Sequence, residues 1–188
     1  MRGYVVTSID VRMLNGYADH PVYFAQEDFR AAIRYLRSMA DEWRLDPDRI
    51  IAAGNSSGAI SAMFMSYCTD GWTKEGESGS AGFDSQPNGV VSISGLFHEP
   101  WMNKIGKRAG DPPLLIYHNT NDPYIDFEQA VAIRDHAQSN GLPTKLLIDI
   151  DHEGHGNLDH VMSEPFITEL TTFLYQHVTK GAQAPEGC

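Results

Sequence analysis

Apolar residues recur along this chain at two spacings, and each spacing predicts a different element. Gly3-Tyr-Val-Val-Thr-Ser-Ile-Asp10 is β-branched and aromatic without polar alternation, the pattern of a strand buried on both faces of a parallel sheet. Phe29, Ile33, Leu36, Ala40 and Trp43 then follow at steps of three and four, which predicts an amphipathic helix ended by Asp46-Pro47. Arg49 to Gly54 predicts a second buried strand. Gly58 to Cys68 predicts a helix that is apolar around much of its girth and therefore central. Further strands are expected at 89–94, 114–118 and 145–150. Helices are expected from Phe127 to Ser139, closing at Asn140-Gly141, and from about Glu164 to Val178.

Strand and helix alternate without an internal repeat. This predicts an α/β class with a doubly wound, mainly parallel sheet, helices on both faces and sites at the carboxyl ends of the strands. One domain is expected over 1–179, with a short tail at 180–188. The Gly-, Ser- and Glu-rich stretch from Asp70 to Asn88 reads as a long surface loop bordering a cleft.

Composition narrows the partners. With 41% apolar residues among 188, the chain can bury a continuous core. A net charge of −11 repels polyphosphates and anionic membrane surfaces, so the expected partner is a neutral small molecule, with no nucleic acid and no membrane. Cys68 and Cys188 are too few for a disulfide framework or a cysteine zinc site. No apolar run approaches the roughly 18 residues of a membrane span. Compartment is left open: secreted or periplasmic if a leader precedes the chain, otherwise cytoplasmic.

The chemistry concentrates at three strand ends. Gly54-Asn55-Ser56-Ser57-Gly58 fits G-x-S-x-G and lies where a buried strand gives way to an apolar helix. Such a turn would project the Ser56 hydroxyl over the sheet edge and aim the Ser57 amide at a developing oxyanion. A plain glycine- and serine-rich turn or helix cap is the alternative reading. Asp122 follows the strand Leu114-Leu-Ile-Tyr-His118, with Asp126 as a rival acid or as the cap of the next helix. His155 sits between Gly154 and Gly156 after the last strand, with His152 as its competitor. A serine needs such a base, and the base needs a carboxylate to hold its tautomer. The stretch His152-Glu-Gly-His155 falls one residue short of H-E-x-x-H, and its glycine would break the helix that motif requires, so no metal and no cofactor is expected.

Together these residues resemble the α/β-hydrolase esterase/lipase family, especially its carboxylesterase and feruloyl- or acetylxylan-esterase-like members. The resemblance covers nearly the whole chain. Tyr4 to Arg12 looks like the family's fourth strand with an S-x-D-x-R ending; Glu27-Asp28 and Ala31 to Leu36 look like its first large helix, and Leu45 to Ile50 like the lead into the nucleophile strand. It implies Ser56 as nucleophile, Ser57 as oxyanion donor through its amide, Asp122 as acid and His155 as base. The expected reaction is hydrolysis of short-chain acyl esters through an acyl-enzyme; the rivals are a weakly active, self-associating scaffold and a serine peptidase.

The family normally carries a further strand and a His-Gly-Gly-type oxyanion loop before the equivalent of Tyr4. The expected fold is thus a truncated α/β-hydrolase, whether a fragment beginning at an internal methionine or a short chain. Either the first strand moves inward or a second copy fills the gap, which predicts a homodimer through the N-terminal strand region. Asn15 and Tyr17, in the 13–23 loop, offer substitute oxyanion donors. Asn55, Phe97, Trp101 and Tyr124 are the expected substrate pocket, with Trp72 from the long loop beside them.

Overall fold

Burial on both faces explains why the strands carry unbroken apolar runs. A computed structural model describes residues 3–12, 21–68 and 74–180. Helix α1 (Pro21–Ser38) and the single turn α2 (Ala40–Trp43) lead into β1 (Ile51–Asn55) and α3 (Ser57–Tyr67). Then come β2 (Gly89–Ile93), α4 (Glu99–Met102), β3 (Leu114–Asn121), α5 (Phe127–Ser139) and β4 (Thr144–Glu153). The turn α6 (Leu158–Val161) and α7 (Phe166–Leu174) follow, with α7 passing into a π-helical turn at Tyr175–Thr179. The four strands pair in parallel in the order β1-β2-β3-β4.

Alternate strand residues feed two cores. Ala52, Val90, Leu114 and Ile116 point to one face, against Met63, Phe64 and Tyr67 of α3 and Ala130, Ile133 and Ala137 of α5. Val91, Ile93, Leu115 and Tyr117 point to the other, against Phe173 and Leu174 of α7 and Val178 beyond it. Helix α1 lies outside α3, joined through Ile33, Ile50 and Met65 with Phe29 and Leu36. Its polar face is not solvated. Arg30 and Arg34 are buried beneath the long loop, where Glu75 accepts from both at 2.9 and 2.7 Å, and Arg37 donates to the Gln86 carbonyl at 2.8 Å. Arginines spaced by four and three on one helix face therefore hold the loop down.

The expected strand at 3–10 does not form. Residues 4–12 form no strand and pair with none of the described strands, Val5 and Val6 are largely exposed, and Arg12 ties the segment to Glu27 and Asp28 of α1. β-Branched residues favour a ladder only where another strand supplies its bonds, and no described strand lies alongside this segment. The first strand has therefore not moved inward against β1. The last helix also starts later than expected, at Phe166, and the short turns α4 and α6 carry too few residues for their periodicity to be read.

No described strand pairs with the outer edge of β1, and Ala53 on it is exposed. We propose that a second copy of the chain covers this edge. Light scattering should show mass rising toward a dimer with concentration, more so in added salt, which screens the −11 charge. A monomer at high concentration in salt would overturn it.

Candidate active site

The turn between β1 and α3 is set by two missing side chains. A Cβ on Gly54 would lie 2.2 Å from the carbonyl carbon of Gly58, so only glycine lets the strand end pass this close to the first turn of the helix. Between them Ser56 adopts φ 53°, ψ −118°, a conformation costing a non-glycine residue about 1 to 3 kcal/mol. The strain is held on both sides. The Ser56 amide donates to the Ile93 carbonyl at 2.9 Å, and its own carbonyl accepts from Ile60 at 3.0 Å as the first bond of α3. Ser57, the first residue of the helix, carries one of the leading amides that have no partner within a helix.

Asp122 and His155 meet across the same sheet edge. His155 Nδ1 lies 2.8 and 3.0 Å from the two Asp122 carboxylate oxygens. The Asp122 side chain is fully buried, while that of His155 is partly exposed. Burial alone would push the Asp122 carboxyl pKa up. Bonds from the Tyr124 amide, His155, the Ile125 amide and the Ser94 hydroxyl outweigh it, and the pKa is lowered. An ionised carboxylate only accepts, so it holds the proton on Nδ1 and leaves Nε2 as the basic nitrogen.

Ser94 joins the two halves. At φ 47° directly after β2, it donates to Asp122 and accepts from the Gly156 amide at 3.0 Å, linking the acid to the loop that carries the base. That loop also presses on the serine turn, because a Cβ on Gly156 would fall 2.0 Å from Asn55 Oδ1. Buried His118 supports the turn after β3 from below, with Nε2 2.9 Å from the Ile125 carbonyl.

The competing residues lie elsewhere. Asp126 is exposed at the start of α5 and makes no side-chain cap bond. His152 Nδ1 lies 3.0 Å from Asp149, a second carboxylate whose pKa is lowered; there burial, which raises it, is outweighed by bonds from Tyr117, His152 and the Asp151 amide.

The expected pocket is only partly assembled. Phe97 is fully enclosed in the core, 4.6 Å from the Phe64 ring, so it does not line an open cleft. Trp101 packs on the outside of the same cluster. Tyr124 is exposed, with its ring edge-on to His155 at 5.3 Å, and Asn55 adjoins the loop that carries His155. Asn15, Tyr17 and Trp72 lie outside the described residues. Ser94 was not legible as a site residue, because a serine at the end of a buried strand gives no sequence signal until β2 and the His155 loop are brought together.

Residues 1–96, which contain the Ser56 turn and Ser94, match the model of the BD-FAE family. The chain belongs to this family. BD-FAE is a family of α/β-hydrolase-type esterases, and ester hydrolysis is the chemistry it brings. Asp122 and His155 lie beyond the matched residues. No curated protein sequence matches this BD-FAE member. Among solved structures it is similar to a thermophilic esterase, Est2, of the planctomycete Thermogutta terrifontis bound to propionate, with TM-score 0.68 and 23% identity over 88% of this chain and 68% of that one. It is similar as well to a truncated carbohydrate esterase from gut microbiota, with TM-score 0.71 and 23% identity over 83% and 69% of the two chains. A bifunctional GH43-CE protein of Bacteroides eggerthii gives TM-score 0.74 and 20% identity over 91% of this chain and 27% of that one. These likenesses establish the fold as that of an α/β-hydrolase.

Two measurements test this geometry. Gly54→Ala must displace backbone rather than a flexible side chain, so it should cost about 3 kcal/mol and lower Tm by about 6 to 12 °C. A lowered carboxyl pKa contributes stability that is present above the unfolded value of about 3.9 and lost as pH falls through the lower folded value. Asp122→Asn should therefore be less stable than the parent at pH 7 by about 1.5 to 3 kcal/mol, with the gap closing below about pH 4 in urea titrations. A gap independent of pH would contradict the bonding described.

Proposed function

We propose that Ser56, Asp122 and His155 act as a catalytic triad that hydrolyses short-chain carboxylic esters. The observation that carries this reading is the Asp122–His155 bond, at strand ends that flank a serine held at positive φ. In the proposed cycle His155 Nε2 takes the Ser56 proton as Oγ attacks the ester carbonyl carbon. The Ser57 amide donates to the resulting oxyanion. Collapse breaks the bond to the alcohol, which leaves with the proton held by His155. Water, deprotonated by His155, then attacks the acyl-enzyme, and the carboxylic acid departs as Ser56 recovers its proton.

The acidic surface suits a neutral ester better than an anionic one. Small acyl groups are supported by the T. terrifontis esterase, which has been seen with propionate and with butyrate bound. Tyr124, exposed and edge-on to His155, would flank the entering ester.

The T. terrifontis esterase is phosphorylated by paraoxon, which suggests the probe. A fluorophosphonate or paraoxon should label Ser56 covalently, and Ser56→Ala should abolish both labelling and hydrolysis of p-nitrophenyl acetate. Asp122→Asn should lower turnover by about 10³- to 10⁴-fold. Well-folded protein that resists labelling would support the non-catalytic scaffold, and wild-type rates in Ser56→Ala would overturn the triad. Faster cleavage of peptide than of ester substrates would favour the peptidase.

A further inference from the structure

A second group of titratable side chains lies at the carboxyl end of β4, and the proposed triad does not use it. Asp149, His152 and His160 bring one carboxylate and two imidazoles together, with ligating atoms all within 4.8 Å of one another. The first two come from β4 and the third from α6. His152 Nδ1 is 3.0 Å from Asp149 Oδ1, and His160 Nε2 is 3.7 Å from Asp149 Oδ2. The two imidazole rings lie with centroids 3.6 Å apart and planes tilted by 38°.

We infer that Asp149, His152 and His160 form a binding site for a divalent transition metal of the Zn²⁺ class. Two imidazoles and one carboxylate are the donor set such ions prefer, and three protein ligands leave a fourth position for water. Zinc bonds of about 2.0 to 2.1 Å in a tetrahedron place neighbouring ligand atoms about 3.3 Å apart; here each imidazole approaches a different Asp149 oxygen, at 3.0 and 3.7 Å, and one ligand atom from each residue lies within 4.8 Å of the others. The arrangement therefore needs side-chain adjustment rather than rebuilding. A proton shared between His152 and Asp149 leaves His160 beyond hydrogen-bond reach of the same carboxylate, whereas a cation serves all three at once.

The surroundings fit a metal as well. Asp149 is almost wholly buried and accepts a hydrogen bond from the Tyr117 hydroxyl, the outer-shell contact that orients a ligating carboxylate. Its other oxygen accepts from the Asp151 amide, and the Asn157 side chain accepts from the His160 amide, so both backbone segments are already held. Half-exposed His152 leaves a path to solvent. His155 takes no part in the site, but it lies between His152 and His160 in the chain, so a bound ion would tie together both ends of the segment that presents it.

The test uses the whole chain stripped with chelator, and its readouts do not depend on hydrolysis. Calorimetry with ZnCl₂ should show one ion per chain at micromolar affinity or tighter, and saturating Zn²⁺ should raise Tm. Co²⁺ should give the visible absorption of a tetrahedral site. His160→Ala, or half-exposed His152→Ala if that variant misfolds, should weaken Zn²⁺ binding at least 100-fold, and Tyr117→Phe about 10- to 100-fold. Ser56→Ala should bind like the parent, so failure of the triad and failure of this site are distinguishable. Millimolar binding only, no tetrahedral Co²⁺ spectrum, or equal loss in His155→Ala would overturn the assignment.

Discussion

Close contact between β1 and α3 is the constraint on which the rest of the site depends. With no side chain at Gly54, strand and helix approach until a Cβ would overlap the backbone of Gly58. The chain must then reverse within three residues, and Ser56 is the one forced to positive φ. That backbone is sustained because its amide is bonded to β2 and its carbonyl to α3. A serine in an open loop would relax, whereas one wedged between two buried elements cannot.

Cross-links from the neighbouring strand ends determine where the other polar groups can go. Ser94 bonds the Asp122 carboxylate and receives the Gly156 amide, so the turn after β3 and the loop after β4 are positioned by one hydroxyl at the end of β2. The Asp122 carboxylate is buried, and its bonds to two amides, an imidazole and a hydroxyl offset the cost of removing a charge from water. The resulting geometry is preorganised by groups that would themselves be unsatisfied without it.

The segment after β4 faces two carboxylates. Asp122 holds His155, while Asp149 lies beside His152 and near His160, so three imidazoles within nine positions are divided between two acids. Direction decides the division. Asp122 emerges from the carboxyl end of β3, above the sheet edge where the serine turn lies. Asp149 is still within β4, bonded to Tyr117, whose ring packs on Phe166 at the α7 side. The proposed hydrolytic chemistry and the proposed metal site thus use different acids, one in the turn after β3 and one within β4.

Local patterning was enough to determine the parallel α/β class, α5 to its exact ends, the strand-turn-helix around Ser56 and the placement of Asp122 and His155 at strand ends, because apolar periodicity and glycine placement act over a few residues. Pairing is non-local, and there the tertiary structure decided. The apolar run at 4–12 stays unpaired because β propensity does not supply a partner, and Phe97 is enclosed because α3 packs over it. Ser94 and His160 acquire their contacts only when β2, β4 and α6 converge, since a hydroxyl or an imidazole has no partner in sequence and finds one only in space.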